Sequence, residues 1–289
     1  MHTVSDRRGN ITIENSIQDR LLEAAYNHTT GRILLRPFLS PLFSKAGGAV
    51  LRTGFSKILI APFVRSHAID MSEYEARDYH SYNDFFTRKI KAGARKIDRA
   101  EHVLISPCDG RLCVYPVSEN SVVTIKHTPY TVGSLVRNQK LAGRYAGGYL
   151  WVFRLCVEDY HHYVYADSGK VSAQVQIPGV FHTVNPVAND NFPIYKENTR
   201  EYALLKSEQF GTILQMEVGA MLVGKIRNRP GNRLVQRGEE KGNFAFGGST
   251  VILITQRGKV CPDSDILSQS ERGIETRVRM GEQVGKKQI

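Results

Sequence analysis

Two textures divide the chain. From Ala24 to Ile69 apolar residues recur at helical spacing: Leu34, Leu35, Phe38, Leu39, Leu42 and Phe43, then, after Gly47 and Gly48, Phe55, Ile58, Leu59 and Phe63. Apolar positions three and four apart line one face of an α-helix, so this stretch predicts short amphipathic helices, cut by Pro37, Pro41 and Pro62. Another helix is predicted over Ser81 to Lys91, with Tyr82, Phe85, Phe86 and Ile90 on one face and with Ser81 and Asp84 at capping-box spacing. After Val103 the pattern changes to short runs rich in Val, Ile, Tyr and Thr between glycine and polar turns. Leu112 to Val117, Tyr149 to Val157, Lys170 to Ile177, Thr212 to Val218, Met221 to Ile226 and Thr250 to Thr255 read as strands. The pattern predicts an α+β protein, with a helical region over residues 1–100 packed on a β-rich body over residues 101–289. No repeat, low-complexity tract or long linker separates the two, so they are expected to share a core.

Charge sharpens the first texture. Ala24 to Ile69 holds no acidic residue, while Arg32, Arg36, Lys45, Arg52, Lys57 and Arg65 supply cations. Such helices either turn their basic face to water over a packed domain or lay their apolar face in a lipid headgroup region, and the pattern alone leaves both open. The whole chain carries 39 Lys and Arg against 28 Asp and Glu, a net charge of +11, which points to an anionic partner. With 41% hydrophobic and 23% charged residues it can bury a core. No zinc-finger, RNP or recognition-helix pattern is present, so nucleic acid is not the expected partner. The sequence has no uninterrupted apolar run of about 18 residues, and Met1 to Asn10 lacks the apolar stretch of a secretory signal. Membrane contact is therefore expected to be peripheral, on the cytoplasmic face of the cell membrane. Cys108, Cys113, Cys156 and Cys261 are too widely spaced for a CxxC pair and too few for a disulfide framework, and read as reduced thiols.

Common nucleotide and hydrolase motifs are missing: there is no GxxxxGK[ST], GxSxG, HExxH or dinucleotide fingerprint. What remains is a set of polar residues at the ends of the expected strands. They are Asp109 in Ser106-Pro107-Cys108-Asp109-Gly110, His161 and His162 after Asp159-Tyr160, Asn185-Pro186, and Gly247-Gly248-Ser249-Thr250. Each alone is ordinary. Pro107 and Asp109-Gly110 make a good turn; adjacent histidines on a strand point to opposite faces and make a poor metal pair, so no metal site is expected; and Gly-Gly-Ser-Thr reads as a loop entering a strand.

In combination, from about Tyr79 to near the carboxyl terminus, they resemble the phosphatidylserine decarboxylase family. Tyr82-Asn83-Asp84-Phe85-Phe86-Thr87-Arg88 is similar to that family's opening helix motif, Ser106 to Gly110 to its aspartate motif, and Asp159-Tyr160-His161 to its histidine motif. Val184-Asn185-Pro186, Gly219 to Gly224 and Arg237-Gly238-Glu239-Glu240-Lys241-Gly242 follow in the family's order. Gly247-Gly248-Ser249-Thr250 is similar to its self-cleavage site.

The resemblance implies a precursor that cuts itself between Gly248 and Ser249, giving fragments 1–248 and 249–289 that stay associated. A Ser hydroxyl beside a glycyl carbonyl attacks it once a base takes the proton, the work of a His oriented by an Asp. The resulting ester eliminates, and hydrolysis leaves Ser249 as a covalent pyruvoyl group, the implied cofactor. That group would form a Schiff base with the amine of phosphatidylserine and take up the electrons left as carbon dioxide departs, yielding phosphatidylethanolamine. The implied catalytic residues are Ser249, His161 and Asp109, with His161 as acid and base, and the implied partners are a phospholipid substrate and an anionic membrane surface; a homo-oligomer fits the same reading. A decarboxylase of a soluble amino acid and an uncleaved, non-catalytic lipid-binding protein are the alternatives. Two positions depart from the family pattern. Gly247 stands where Leu is commonest, and Val164 stands where many members have a second His. The second departure leaves His161 serving both self-cleavage and decarboxylation, or His162 taking one role, or an active site that differs from the family's, with the implied Asp109 partnership favouring His161.

Overall fold

Seven consecutive buried residues, Ser249–Thr255, form the middle strand of the molecule. Successive side chains on a strand point to opposite faces, and here both faces are covered, which is why Val251 to Ile254 are apolar without alternation. Val251 and Leu253 join Trp151, Phe153, Leu155, Tyr163 and Phe244 in one core. Ile252 and Ile254 join Leu150, Val152, Leu214, Met216, Val132 and Leu135 in the other. The computed structural model describes residues 2–14, 47–125, 128–180, 194–219, 226–245 and 249–288.

Around that strand runs one large sheet. From one edge its order is Arg233–Val235, Gly169–Val171, Arg200–Ser207, Thr212–Val218, Ser249–Thr255, Tyr149–Leu155, Gly110–Pro116, Glu275–Val278, His2–Ser5 and Ile11–Glu14, with Val175–Ile177 also paired to Arg200–Ser207. All neighbours are antiparallel except His2–Ser5 and Glu275–Val278, which run parallel. A three-stranded sheet, Ile226–Asn228, Glu240–Phe244 and His162–Val164, contributes Ile226, Phe244 and Tyr163 to the first core. Short helices over Val132–Val136 and Ile194–Glu197 contribute to the second.

The predicted α+β class holds, with differences at particular elements. Residues 2–14 are a β-hairpin on the sheet edge, so the region over residues 1–100 is not helical throughout. Lys170 to Ile177 breaks into two strands, Gly169–Val171 and Val175–Ile177. Gly54–Leu59 and Ile60–Ser66 are consecutive helical turns; Pro62 lies in the first turn of the second, where its missing N–H costs no hydrogen bond. The helix expected over Ser81 to Lys91 spans only Tyr82–Phe86. Ser81 caps its start through Asp84 N–H, but the Thr87 hydroxyl bonds back to the Asn83 and Asp84 carbonyls. The chain then extends so that Glu75 N–H meets Lys89 O and Lys91 N–H meets Glu73 O. Leu51, Ile60, Phe63 and Val64 pack on Tyr82, Phe85 and Phe86, which carries the front of the chain onto the body. Among the described residues no helix is long and apolar enough to cross a membrane. Arg32, Arg36, Lys45, Met221 to Lys225 and Val184-Asn185-Pro186 lie outside the described residues.

Candidate active site

Ser249 is the first residue of the middle strand, opposite Leu155, and by alternation its side chain shares a face with Val251. It is fully buried, and its Oγ has no hydrogen-bond partner among the described residues. A buried hydroxyl left unsatisfied costs about 1–3 kcal/mol. Gly247 and Gly248, the other half of the implied scissile bond, lie outside the described residues.

Gly110 follows the aspartate turn and pairs beside Arg154; a Cβ there would stand 2.8 Å from the Arg154 carbonyl oxygen, so only glycine lets the strands approach. The turn presents Asp109 at the same edge of the sheet as Ser249. Its carboxylate, however, is held by Arg95, with Nε at 2.9 Å and Nη2 at 2.6 Å, and by the Met280 N–H at 2.8 Å. Arg95 also reaches Glu73 at 2.9 Å, and these two carboxylates raise its pKa against the cost of burial. The bond from Asp109 to His161 that the resemblance implies is not among these contacts. Val164 supplies the physical reason: its N–H bonds to Pro107 O at 2.8 Å, against the aspartate turn, so the position where a second His would meet Asp109 offers only an aliphatic side chain. Arg95 takes the carboxylate instead.

His161 is fully buried, with its ring 4.1 Å from that of Phe86. Its Nδ1 lies 2.9 Å from the Asp159 carbonyl oxygen. A carbonyl only accepts, so Nδ1 carries the proton and, in the neutral ring, Nε2 carries the basic lone pair. A backbone carbonyl thus does the orienting that an Asp does in a triad. The His161 carbonyl accepts the Phe244 N–H at 2.9 Å, tying the histidine to the strand that leads toward Ser249.

His162 has a different setting. Its ring stacks on Tyr160 at 4.7 Å, Nδ1 lies 3.3 Å from Glu240 and Nε2 lies 3.3 Å from Thr87 O. The bond to His162 is the main reason the Glu240 carboxyl lies below its usual range. Both ring nitrogens and the ring face of His162 thus have partners. Beside it, burial pushes the Asp159 carboxyl up to about 6, against the pull of Arg111 at 2.9 Å.

Three further groups were not singled out from sequence. Lys241 and Glu217 form a fully buried ion pair, with Asn228 bridging Lys241 Nζ at 3.1 Å and Glu217 Oε2 at 3.0 Å, while Glu217 Oε1 has no partner. Burial raises the Glu217 pKa and lowers that of Lys241. Glu217 stands opposite Val251, on the Ser249 face of the sheet. The third, Arg88, is fully buried between the rings of Tyr74 and Phe85. A charged residue at an inward position of an otherwise apolar strand is the signal that marks Glu217; for Arg88 the quoted motif contained the residue without indicating its surroundings.

Comparison with known proteins gives the family of the chain. The sequence pattern of the family described as phosphatidylserine decarboxylase matches residues 82–286. A protein named phosphatidylserine decarboxylase proenzyme 2 from Clostridium acetobutylicum is 42% identical over 276 residues, covering 95% of this chain and 94% of the relative. Proteins named phosphatidylserine decarboxylase proenzyme from Clostridium tetani and Fusobacterium nucleatum are 39% identical, over 95% of this chain and 94% of the relative, and 38% identical, over 98% and 96%. The chain belongs to the phosphatidylserine decarboxylase family of enzymes.

Proposed function

We propose that the chain cuts itself before Ser249 and then decarboxylates phosphatidylserine to phosphatidylethanolamine at the cytoplasmic face of a membrane. The observation that carries this reading is the fully buried, unpartnered Ser249 Oγ at the head of the central strand. A hydroxyl in that setting fits conversion to a pyruvoyl group, since the residue is shielded from water and its oxygen has no structural bond to lose. Once formed, the pyruvoyl carbonyl supplies an electrophile for the substrate amine and a sink for the electrons released with carbon dioxide.

The chain's own residues do the rest. His161 Nε2 takes the Ser249 hydroxyl proton as the oxygen adds to the Gly248 carbonyl and the Gly248–Ser249 C–N bond breaks, the proton passing to the departing nitrogen. The same ring, protonated, returns a proton to the substrate carbon after carboxylate loss. A general acid or base contributes about 100- to 10,000-fold. Phe86 and the fixed Asp159 carbonyl hold the imidazole in one orientation and one tautomer.

Membrane contact is supported by the front of the chain. Phe55 is 92% exposed and Ile58 77% exposed, with Val50 and Leu59 also exposed, while Arg52 and Lys57 lie in the same segment. Large apolar side chains left in water beside cations fit a headgroup layer better than bulk solvent. This segment packs through Phe63 on Tyr82 and Phe85, beside Phe86 and the His161 ring, so the proposed lipid contact and the proposed base share one packed unit.

Intact mass measurement of the purified chain tests the reading. The expected result is two fragments split between Gly248 and Ser249, the second bearing a pyruvoyl terminus, with a single uncut chain for Ser249→Ala and for His161→Ala and normal cutting for His162→Ala. Cleavage of Ser249→Ala at the same bond would overturn the mechanism. Activity on free serine in place of phosphatidylserine vesicles would change the substrate class.

A further inference from the structure

Arg88 is an interior cation with no carboxylate among its partners in the described residues. Its guanidinium carbon lies 4.4 Å from the Tyr74 ring centroid and 4.8 Å from that of Phe85. Nη2 donates to the Glu158 carbonyl at 2.8 Å and reaches the Tyr74 hydroxyl at 3.2 Å and the Asp159 carbonyl at 3.4 Å. Nε and Nη1 are buried with no partner. Aromatic faces and carbonyl dipoles return only part of what burying a charge costs, so a purely structural role would be served better by an apolar side chain. The Asp159 carbonyl that Arg88 reaches is the one that fixes His161 Nδ1.

The carboxylates around His161 are each held by a cation other than Arg88, with one cation shared by two of them. On its own segment the Glu158 and Asp159 carboxylates both pair with Arg111 at 2.9 Å. On the strand bonded to it, Glu240 pairs with His162 and Arg229. In the aspartate turn, Asp109 pairs with Arg95. Tyr160, also close by, keeps its proton, since burial raises its pKa. Arg88 is bonded to none of these carboxylates and meets only carbonyl and hydroxyl oxygens among the described residues.

We infer that Arg88 is a positioning residue for His161, pinning the Glu158 carbonyl and the Asp159 carbonyl that orients the imidazole, and holding the ring neutral through its buried charge. A nearby like charge disfavours the imidazolium, so Nε2 keeps its lone pair for Ser249, and the ring becomes a stronger acid once protonated. This inference rests on the proposed role of His161, and the test separates the two.

The experiment follows the His161 imidazole by ¹⁵N NMR titration in the uncleaved Ser249→Ala chain, with the signal assigned by its loss in His161→Gln. Arg88→Met removes the charge at similar length, and Arg88→Lys keeps the charge but not the fork. The expected result is a His161 midpoint about one pH unit higher in Arg88→Met and within a few tenths of a unit of the parent in Arg88→Lys. With Ser249 intact, the acid limb of the maturation rate should be displaced upward by about one pH unit in Arg88→Met, making it about tenfold slower than the parent on that limb, and Arg88→Lys should recover most of the rate. A folded Arg88→Met chain with the parent's midpoint overturns the inference, and so does Arg88→Lys shifting as far as Arg88→Met. If Arg88→Met does not fold, Arg88→Lys decides: a midpoint raised by about a unit overturns it, and an unmoved one supports it. Normal maturation of His161→Ala would instead overturn the role of His161, leaving the measured midpoints to judge Arg88 on their own.

Discussion

Replacing Lys241 by Met is expected to destabilise the protein in a way that depends on pH. Both members of the Lys241–Glu217 pair are fully buried. Without the ammonium, Glu217 keeps the Asn228 Nδ2 donor on Oε2 at 3.0 Å, while Oε1 already lacks a partner. Breaking one side of a buried pair costs about 3–5 kcal/mol, and the surviving Asn228 bond places the expected loss near the lower end, about 3 kcal/mol. With a urea m-value of about 3 kcal/mol/M for a chain of this size, the midpoint should fall by about 1 M. Burial pushes the Glu217 carboxyl up and Lys241 is the main opposing influence, so in Lys241→Met the upward push is stronger. A folded-state pKa above the unfolded value, about 4.3, means that the folded form prefers the protonated acid. The deficit is therefore small below that value and grows as pH rises through the folded pKa, each unit of separation adding about 1.4 kcal/mol. Urea unfolding of the Ser249→Ala chain, followed by Trp151 fluorescence at pH 5 and pH 8, measures both quantities. The deficit at pH 5 should be half or less of that at pH 8, and Glu217→Gln in the Lys241→Met background should restore most of it. A deficit below about 1 kcal/mol at pH 8, or one equal at the two pH values, would refute the reasoning.

Two further outcomes follow from the site and the front. Asp109→Asn should slow maturation less than His161→Ala does, and Arg95→Met should slow it to a similar degree, because the carboxylate acts on Arg95 and the Met280 amide; gel densitometry over time checks this, and an Asp109→Asn chain as inert as His161→Ala would restore a direct Asp109–His161 bond. Phe55→Ser with Ile58→Ser should weaken flotation with anionic vesicles by more than about 100-fold, at about 1.5–3 kcal/mol per buried apolar side chain, without affecting cleavage, whereas Arg52→Gln with Lys57→Gln should cost about 1 kcal/mol per charge and only at low salt. Unchanged flotation in both would return the segment to a solvent-facing role.

Local pattern made the middle of the fold legible. Thr212 to Val218 forms a strand with the boundaries its composition indicates, and Ser249–Thr255 differs from the expected strand by one residue. The helix over Ser81 to Lys91 was overextended because Ile90 completes a helical stripe in sequence, yet its backbone is drawn off to bridge Tyr74. The hairpin at residues 2–14 has four-residue strands too short to stand out, and it is stabilised by Glu275–Val278 from the far end of the chain, a pairing that no local window contains. At the site, motif order marked Ser249, His161 and Asp109, but not who touches whom. A guanidinium from Arg95 and a backbone carbonyl from Asp159 take the places an Asp–His bond would fill, and neither contact has a spacing to read. The Lys241–Glu217 pair joins two sheets across 24 residues of sequence, so no local pattern couples the two charges before the layers are assembled.

The position of Ser249 in the sheet has a kinetic consequence. Residues 249–289 supply the strand between Tyr149–Leu155 and Thr212–Val218 and also the strand between Gly110–Pro116 and His2–Ser5. A piece of chain laced into a sheet at two places cannot leave by sliding off a surface, since both ladders must open together. Dilution, which separates an ordinary dimer by mass action, would leave a chain severed before Ser249 intact, and exchange of the small piece between molecules would proceed no faster than global unfolding. The lifetime of the assembled pair would then be set by the barrier of the whole fold and would shorten steeply on heating.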